Sequence, residues 1–264
     1  MHPVDAFLME ESEEAVWESF HENSKTTRAT PHLYFDRHPS DSTVVAMMNR
    51  LREVKPYRDR PRIVLPYELP VSEIDLDEAL TGRESARGFS SGPVGLPDVS
   101  KILHCAYGVT RSNADGGYPR PFRTVPSGGA LYPLELYLWA REVSGLERGL
   151  YHYDPTTHEL HELGAFEAGG CFVQQELVAA ASAVVLVSAV FYRSAFKYGE
   201  RGYRFVLIEA GHVVQNAVLA ASGRGLAAVP VGGYFDRELD ELMGLDGLHE
   251  SVVYGLLLGP REPR

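Results

Sequence analysis

Four short stretches combine residue types that bind anions, approach flat ligands or move protons. Arg83-Glu84-Ser85-Ala86-Arg87 places two guanidiniums and a hydroxyl side by side. Forked guanidinium donors with a short serine donor suit a phosphate group, although the same residues also make a charged surface turn. In Pro126-Ser127-Gly128-Gly129-Ala130-Leu131-Tyr132-Pro133, two prolines bracket a small-residue turn. Paired glycines let backbone amides approach a planar ligand closely, or simply make a tight turn. Phe196-Lys197-Tyr198-Gly199-Glu200-Arg201-Gly202-Tyr203-Arg204 sets a lysine beside a tyrosine. These are proton-transfer groups if burial or a neighbouring cation lowers a pKa, and otherwise an ordinary solvated helix start. Pro230-Val231-Gly232-Gly233-Tyr234-Phe235-Asp236 again puts paired glycines after an apolar run.

Other candidates are weaker. His152, His158 and His161 invite a metal reading, but no carboxylate or cysteine completes a ligand set, so structural roles are favoured. His212 reads as a hydrogen-bonded core residue. Cys105 and Cys171 form neither a CxxC pair nor a zinc spacing. Gly223-Arg224-Gly225 lacks the third glycine of a dinucleotide fingerprint and follows a helix rather than a strand. No metal is expected.

The elements that must position these groups are partly readable. Ile74, Leu76, Ala79 and Leu80 share a helical face, with Gly82 as the stop. Pro97 opens a second helix carrying Val99, Ile102, Leu103 and Ala106, ending near Gly108. Gly116-Gly117 and Pro119 to Pro121 mark a loop. Leu134 to Ala140 reads as a strand. Leu150–Tyr153 and Glu159–Leu163 read as a hairpin around Asp154-Pro155-Thr156-Thr157, and Val184–Val190 as a buried central strand. Tyr203 to Ser222, stopped by Gly223, is apolar on nearly every face, so it must be buried all round as a central helix or one shared with a second subunit. Ala227–Val231 and Ser251–Leu258 read as strands, with Arg237–Met243 a short helix between them. Helices alternate with strands, but the hairpin breaks a strict βαβ pattern, so the class is α+β. Residues 1–72, with an acidic helix over Glu10–Glu18, read as an N-terminal extension with little regular structure, and 73–264 as the main domain.

Bulk composition narrows the partners. The 264 residues are 44% hydrophobic and 23% charged, as in ordinary globular proteins. A net charge of -11 argues against a duplex nucleic-acid binder. The acidic start MHPVDAFLMEESEEAVWESF lacks the basic, apolar pattern of a signal peptide, and no apolar run reaches membrane-span length. A cytoplasmic location is expected.

The order of the motifs is more specific than any one of them. Arg83–Arg87, Pro126–Pro133, Gly149-Leu150-Tyr151-His152-Tyr153-Asp154-Pro155, Lys197–Arg204, Glu209-Ala210-Gly211-His212 and Gln215-Asn216 follow in series. This series resembles the SagB-type dehydrogenases, the azoline-dehydrogenase branch of the FMN-dependent nitroreductase superfamily. The resemblance covers about residues 73–259, and His21-Glu22-Asn23-Ser24-Lys25 is similar to a motif that precedes the family domain. It implies a nitroreductase-like fold: a central, mainly antiparallel sheet flanked by helices, in a homodimer with a long central helix and FMN at the subunit interface.

Carried over by position, the resemblance implies that Arg83, Ser85 and Arg87 hold the FMN phosphate and ribityl chain. Glu84 stands where the family often has another arginine. Pro126, Ser127, Gly128 and Gly129 line the flavin on one side, and Gly232 and Gly233 lie near its ring. Arg261, after Gly259-Pro260, adds a cation at the phosphate. Lys197 and Tyr198 match the Lys-Tyr pair associated with azoline oxidation, one being the base and the other tuning it. The implied reaction oxidises a thiazoline or oxazoline of a peptide or carrier-bound substrate, with dioxygen reoxidising the flavin and cyclase proteins as possible partners. Competing expectations are an NAD(P)H-dependent nitro- or quinone reductase, a flavin oxidase forming another double bond, and a silent scaffold subunit.

Overall fold

The computed structural model describes residues 16–28, 46–47, 49–57, 59–113 and 120–263. The expected loop at Gly116-Gly117, and the first residues of the expected acidic helix, lie outside these.

In chain order the strands are β1 (Arg62–Val64), β2 (Val94–Gly95), β3 (Val109–Arg111), β4 (Phe122–Arg123), β5 (Leu134–Ala140), β6 (Val143–Ser144), β7 (Gly149–Asp154), β8 (Glu159–Gly164), β9 (Ala183–Val190), β10 (Leu226–Val231) and β11 (Glu250–Pro260). The helices are α1 (Val16–Asn23), α2 (Leu76–Gly82), α3 (Leu96–Tyr107), α4 (Gln175–Ala180), α5 (Tyr192–Tyr198), α6 (Arg201–Ser222) and α7 (Asp236–Leu242). Seven strands form one sheet in the order β1-β8-β7-β5-β9-β11-β10, with every neighbouring pair antiparallel. This is the expected nitroreductase-like α+β architecture. Arg62–Val64, from the N-terminal extension, supplies one edge strand.

The two central strands are buried on both faces, and side-chain alternation divides them between two cores. Leu136 and Leu138 of β5 and Val185 and Val187 of β9 face α3 and α6, joining Val99, Ile102, Leu103 and Ala106 with Val206, Ala210, Val213, Val214, Ala217 and Ala221. Tyr137, Trp139, Val184 and Leu186 face the other way, onto Phe172, Val178, Leu239 and Leu257. Helix ends follow local chemistry. Asp75 caps α2 by accepting from the Glu78 amide at 2.8 Å. At the end of α3 the Gly108 amide donates to the His104 carbonyl at 2.7 Å, and a Cβ on residue 108 would lie 2.6 Å from that oxygen, so only glycine fits.

Within a single copy the long helix α6 is buried on one side only: Val206, Glu209, Ala210, Val213 and Ala217 are buried, whereas Tyr203, Leu207, Ile208 and His212 are exposed. Of the two arrangements expected for it, a helix enclosed wholly by its own chain is the one excluded. The sheet and α3 cover only one side of a cylinder, leaving an apolar stripe on the other. His212, expected in the core, falls on that uncovered side. By length and composition α6 would suffice to cross a membrane, but half of its most apolar stretch is buried inside the fold.

A buried ion cluster ties β5, β7 and α5 together. Glu135 of β5 meets Arg193 Nη2 of α5 at 2.6 Å and His152 Nε2 of β7 at 2.6 Å, and accepts from the Lys55 amide at 2.9 Å. Burial would raise the Glu135 pKa, but Arg193 and His152 outweigh it and hold the group at about 2. A depressed carboxyl stabilises the fold above its ordinary value of 4.5, and that stabilisation disappears as pH falls toward 2. The unfolding free energy measured down this range is expected to fall more for the native chain than for Glu135→Gln, by about 3 kcal/mol in total. Parallel curves would show that the carboxylate carries no such linkage.

Candidate active site

The expected site residues fall into two groups. Arg83, Ser85 and Arg87 lie directly after α2, and with Glu84, Arg261 and Glu262 they line one cavity of about 800 Å³. The Ala86 amide donates to the Ala228 carbonyl at 3.2 Å, which fixes this segment beside the start of β10. Within the cavity Arg261 Nη1 stands 3.3 Å from Glu84 Oε1. An anion entering there would compete with Glu84 for Arg261. A second cavity, of about 690 Å³, shares Arg87, Gly88 and Glu262 and is also lined by Val173 and Gln174. Gly233 belongs to this side: its carbonyl accepts from the Val173 amide at 2.9 Å, and a Cβ on it would come within 3.2 Å of the Gln174 side chain. Gly232 is next to it in the same turn.

The second group assembles around the turn after Pro126. Lys197 and Tyr198 form the last residues of α5, both largely buried. Gly129 has φ +64°, and a Cβ there would lie 2.6 Å from Tyr198 Oη and 3.0 Å from Lys197 Nζ. The turn therefore needs glycine both for its left-handed backbone and for its close approach. Ala130 and Tyr132 also hold positive φ, at 50° and 48°, a strained conformation for residues with side chains. Gly128 packs against the ring of Phe205 in the first turns of α6. Burial lowers the Lys197 pKa and raises that of Tyr198. Among the described residues no carboxylate pairs with Lys197. Its ammonium lies 5.2 Å from the centre of the Tyr198 ring. The pair sets an amine that burial makes easier to deprotonate beside a phenol that burial makes harder to ionise.

Beneath the turn lie residues that sequence reasoning did not place at a site. Glu209 of α6 is 2% exposed. Tyr107 Oη of α3 donates to Glu209 Oε1 at 2.8 Å. Burial pushes Glu209 up to about 7, against the opposing effects of Ser127, Tyr107 and Arg123. Ser127 Oγ in turn accepts from the Tyr132 amide at 2.9 Å. The guanidinium of buried Arg123 sits 4.3 Å from the Tyr107 ring centre and 4.8 Å from that of Tyr132. The available signal was Glu209 itself, an acid on an otherwise apolar helical face, together with its place in the motif series.

The His21–Lys25 motif ends on the same side. Ser24 Oγ accepts from Arg204 Nε at 2.8 Å, and Phe20 packs edge-on against Tyr203 with ring centres 5.3 Å apart. It fastens α1 to the first turns of α6. The three candidate metal-binding histidines have other partners. His152 pairs with Glu135 and stacks on His161 across the hairpin, while His158 meets Ser100 Oγ at 2.8 Å and Tyr153 Oη at 3.0 Å.

α6 starts just after Tyr198 and ends at Ser222, five residues before Ala227, which lines the arginine cavity. A helix of 22 residues is about 33 Å long.

Residues 80–259, more than half of the chain, match the profile described as the Nitroreductase family. A protein of Methanocaldococcus jannaschii named as a nitroreductase is 39% identical over 198 residues, 73% of this chain and 93% of that protein. The microcin B17-processing protein McbC of Escherichia coli is 33% identical over 157 residues, 56% of either chain. The trifolitoxin-processing protein TfxB of Rhizobium leguminosarum is 26% identical over 243 residues, 86% of this chain but 62% of its own. Among solved structures, one described as a nitroreductase from Ralstonia eutropha superposes with TM-score 0.65 and 27% identity, covering 81% of this chain and 95% of its own. A chain of the E. coli microcin synthetase McbBCD complex with bound truncated pro-MccB17 shares the fold at TM-score 0.59 and 23% identity, covering 94% and 92%. The chain belongs to the nitroreductase family, whose activity is oxidoreduction.

Proposed function

We propose that this protein is an FMN-dependent azoline dehydrogenase, oxidising thiazoline or oxazoline rings of a peptide or carrier-bound intermediate to the aromatic azoles. The observation that carries the reading is the seating of Lys197 and Tyr198 against Gly129, which puts two proton-handling groups on a turn suited to a planar ligand. The names of McbC and TfxB, both peptide-processing proteins, support a peptide substrate.

FMN fits the residues present. Arg83, Ser85, Arg87 and Arg261 share one cavity, three cations against two acids, and would hold the phosphate. Gly232 and Gly233 would meet the ring from the same side through the adjoining groove. Pro126, Ser127, Gly128 and Gly129 would line its other side. Lys197 and Tyr198 precede the start of α6 and the arginine cavity is lined by residues that follow its end. In a homodimer the arginine side of one protomer would face the glycine turn of its partner, across an interface that covers Tyr203, Leu207 and Ile208. Cyclisation would be done by other proteins, and dioxygen would reoxidise the flavin.

When bound, FMN supplies a two-electron acceptor for hydride. The chain supplies the proton acceptor. Lys197, destabilised as an ammonium by burial, takes the acidic proton of the azoline through its neutral amine. Tyr198, harder to ionise because it is buried, keeps its proton and orients the ring. Aromatisation drives the step, leaving positioning as the main work of the site.

Three outcomes test this reading. The purified protein should be yellow and release FMN on denaturation, and Arg87→Ala should weaken FMN binding by about 1.5–3 kcal/mol. In anaerobic single-turnover bleaching by an azoline, Lys197→Ala should slow the reaction about 100-fold or more, the scale of a lost general base. Tyr198→Phe should slow it about tenfold, the scale of one hydrogen bond. The native rate should rise with pH as Lys197 loses its proton, below the ordinary lysine range. If both variants bleach at the native rate, the pair is structural and the chain is a reductase or oxidase of another substrate. Light scattering should report a dimer at micromolar concentration, and Ile208→Glu should yield a folded monomer with FMN affinity at least tenfold weaker. A native monomer that binds FMN would contradict the shared site.

A further inference from the structure

We propose that Ser24, directly after α1, is a positioning residue for the Lys197–Tyr198 pair. It acts through Arg201 and Arg204 of α6 and through the rings of Tyr203 and Phe205. This inference rests on the reading of that pair as the proton-handling groups of the site.

α1 has no hold on the core of its own. None of its eight residues is buried, and a helix that short is unstable alone. Ser24 is 2% exposed and fastens it. Its hydroxyl donates to the Phe20 carbonyl at 2.5 Å and accepts from Arg204 Nε at 2.8 Å, while its carbonyl accepts from Arg201 Nη1 at 3.4 Å. The His21 carbonyl accepts from Arg204 Nη2 at 2.5 Å. Carbonyls at the end of α1 thus find donors outside their own helix. The two arginines stand in the first turn of α6. Cations are disfavoured at a helix start, and the carbonyl end of α1 offsets both of them.

Two routes lead from this junction to α5. Tyr203 meets Phe20 edge-on and stacks on Phe191, directly before α5, with ring centres 5.3 Å apart in each case. The Arg201 guanidinium lies 5.9 Å from the centre of the Phe205 ring. That ring meets Tyr198 edge-on at 5.0 Å, and a Cβ on Gly128 would come within 3.2 Å of it. Phe205 is therefore wedged between the glycine turn and Tyr198. α5 has only seven residues, so contacts at Phe191 and Tyr198 support both its ends, and Lys197 is the residue before Tyr198. Without the Ser24 hydroxyl, Arg204 loses a partner and α1 its anchor, and both routes lose their outer support. A proton acceptor displaced by a fraction of an ångström reacts more slowly even when its chemistry is unchanged.

The test is anaerobic single-turnover bleaching by an azoline, with FMN saturating, in the native protein, Ser24→Ala, Ser24→Thr, Lys197→Ala and the double variant Ser24→Ala/Lys197→Ala. Ser24→Ala is expected to slow bleaching about tenfold, the scale of one hydrogen bond. Ser24→Thr keeps a hydroxyl that can reach the carbonyl four residues back, and is expected to bleach near the native rate. In the Lys197→Ala background, Ser24→Ala is expected to add nothing, because no proton acceptor remains to be positioned. A full effect of Ser24→Ala in that background, or a loss in Ser24→Thr as large as in Ser24→Ala, would overturn the proposal.

Hydrogen exchange without substrate separates this link from the reading it rests on. Amides of α5 and of residues 127–132 are expected to exchange faster in Ser24→Ala, and those of α7, which packs on the other face of the sheet, at the native rate. Native exchange throughout α5 in Ser24→Ala would refute the link, whatever the pair does. Native bleaching by Lys197→Ala alone would refute the reading of the pair, and the positioning role would fall with it.

Discussion

The close approach at Gly129 constrains everything built around it. The Tyr198 hydroxyl and Lys197 amine occupy the space where any side chain on residue 129 would begin. The backbone there is left-handed, and the strain continues into Ala130 and Tyr132. A turn of that shape persists only where its surroundings over-determine it. Here they do: the Tyr132 amide is held by Ser127, the Tyr132 hydroxyl accepts from the Arg123 amide at 3.0 Å, and its ring packs edge-on against Tyr107, which is itself held by Glu209. The polar cluster below the turn is therefore a scaffold for strain as much as a set of chemical groups.

The length of α6 is the second constraint. It packs its buried face on α3 and the sheet, with Lys197 and Tyr198 just before its start and Ala227 of the arginine cavity shortly after its end. Its uncovered face is apolar at Tyr203, Leu207 and Ile208, where a monomer would be expected to place charge. Under the proposed function this apolar stripe is where two copies meet, each contributing part of the site.

How much of this was legible in the sequence depended on how local the determining physics was. The hairpin β7–β8, the strand β9 and the bounds of α3 and α6 could be read from turn residues, apolar runs and helix-stopping glycines. The short helix α5 could not. Its seven residues carry no strong periodic signal, and its position is tied to the sheet by Arg193 reaching Glu135, a tertiary contact. The edge strand β1 was hidden for the same reason, since three residues pair only because β8 is present. Lys197 and Tyr198 were recognisable as an adjacent pair, but their seat on Gly129 was not. His212 was misplaced because an apolar helix says little about which of its faces stays uncovered.

Two buried glutamates show why residue type alone could not assign roles. Glu135 and Glu209 are both 2% exposed, and burial alone would push both upward. Glu135 meets a guanidinium and an imidazole at 2.6 Å each, and it ends at about 2, charged at every physiological pH. Glu209 accepts from the Tyr107 hydroxyl at 2.8 Å and has no ion pair among the described residues, and it ends at about 7. Hydroxyls stabilise a carboxylate by a hydrogen bond each, whereas a buried cation adds a direct charge interaction that outweighs desolvation. The fold therefore uses one acid as a fixed charge that fastens α5 to the sheet and leaves the other free to gain or lose a proton near neutrality. The labile acid is the one held by Tyr107, whose ring packs against Tyr132 at the end of the glycine turn, and acids poised near neutrality gather at sites that handle protons.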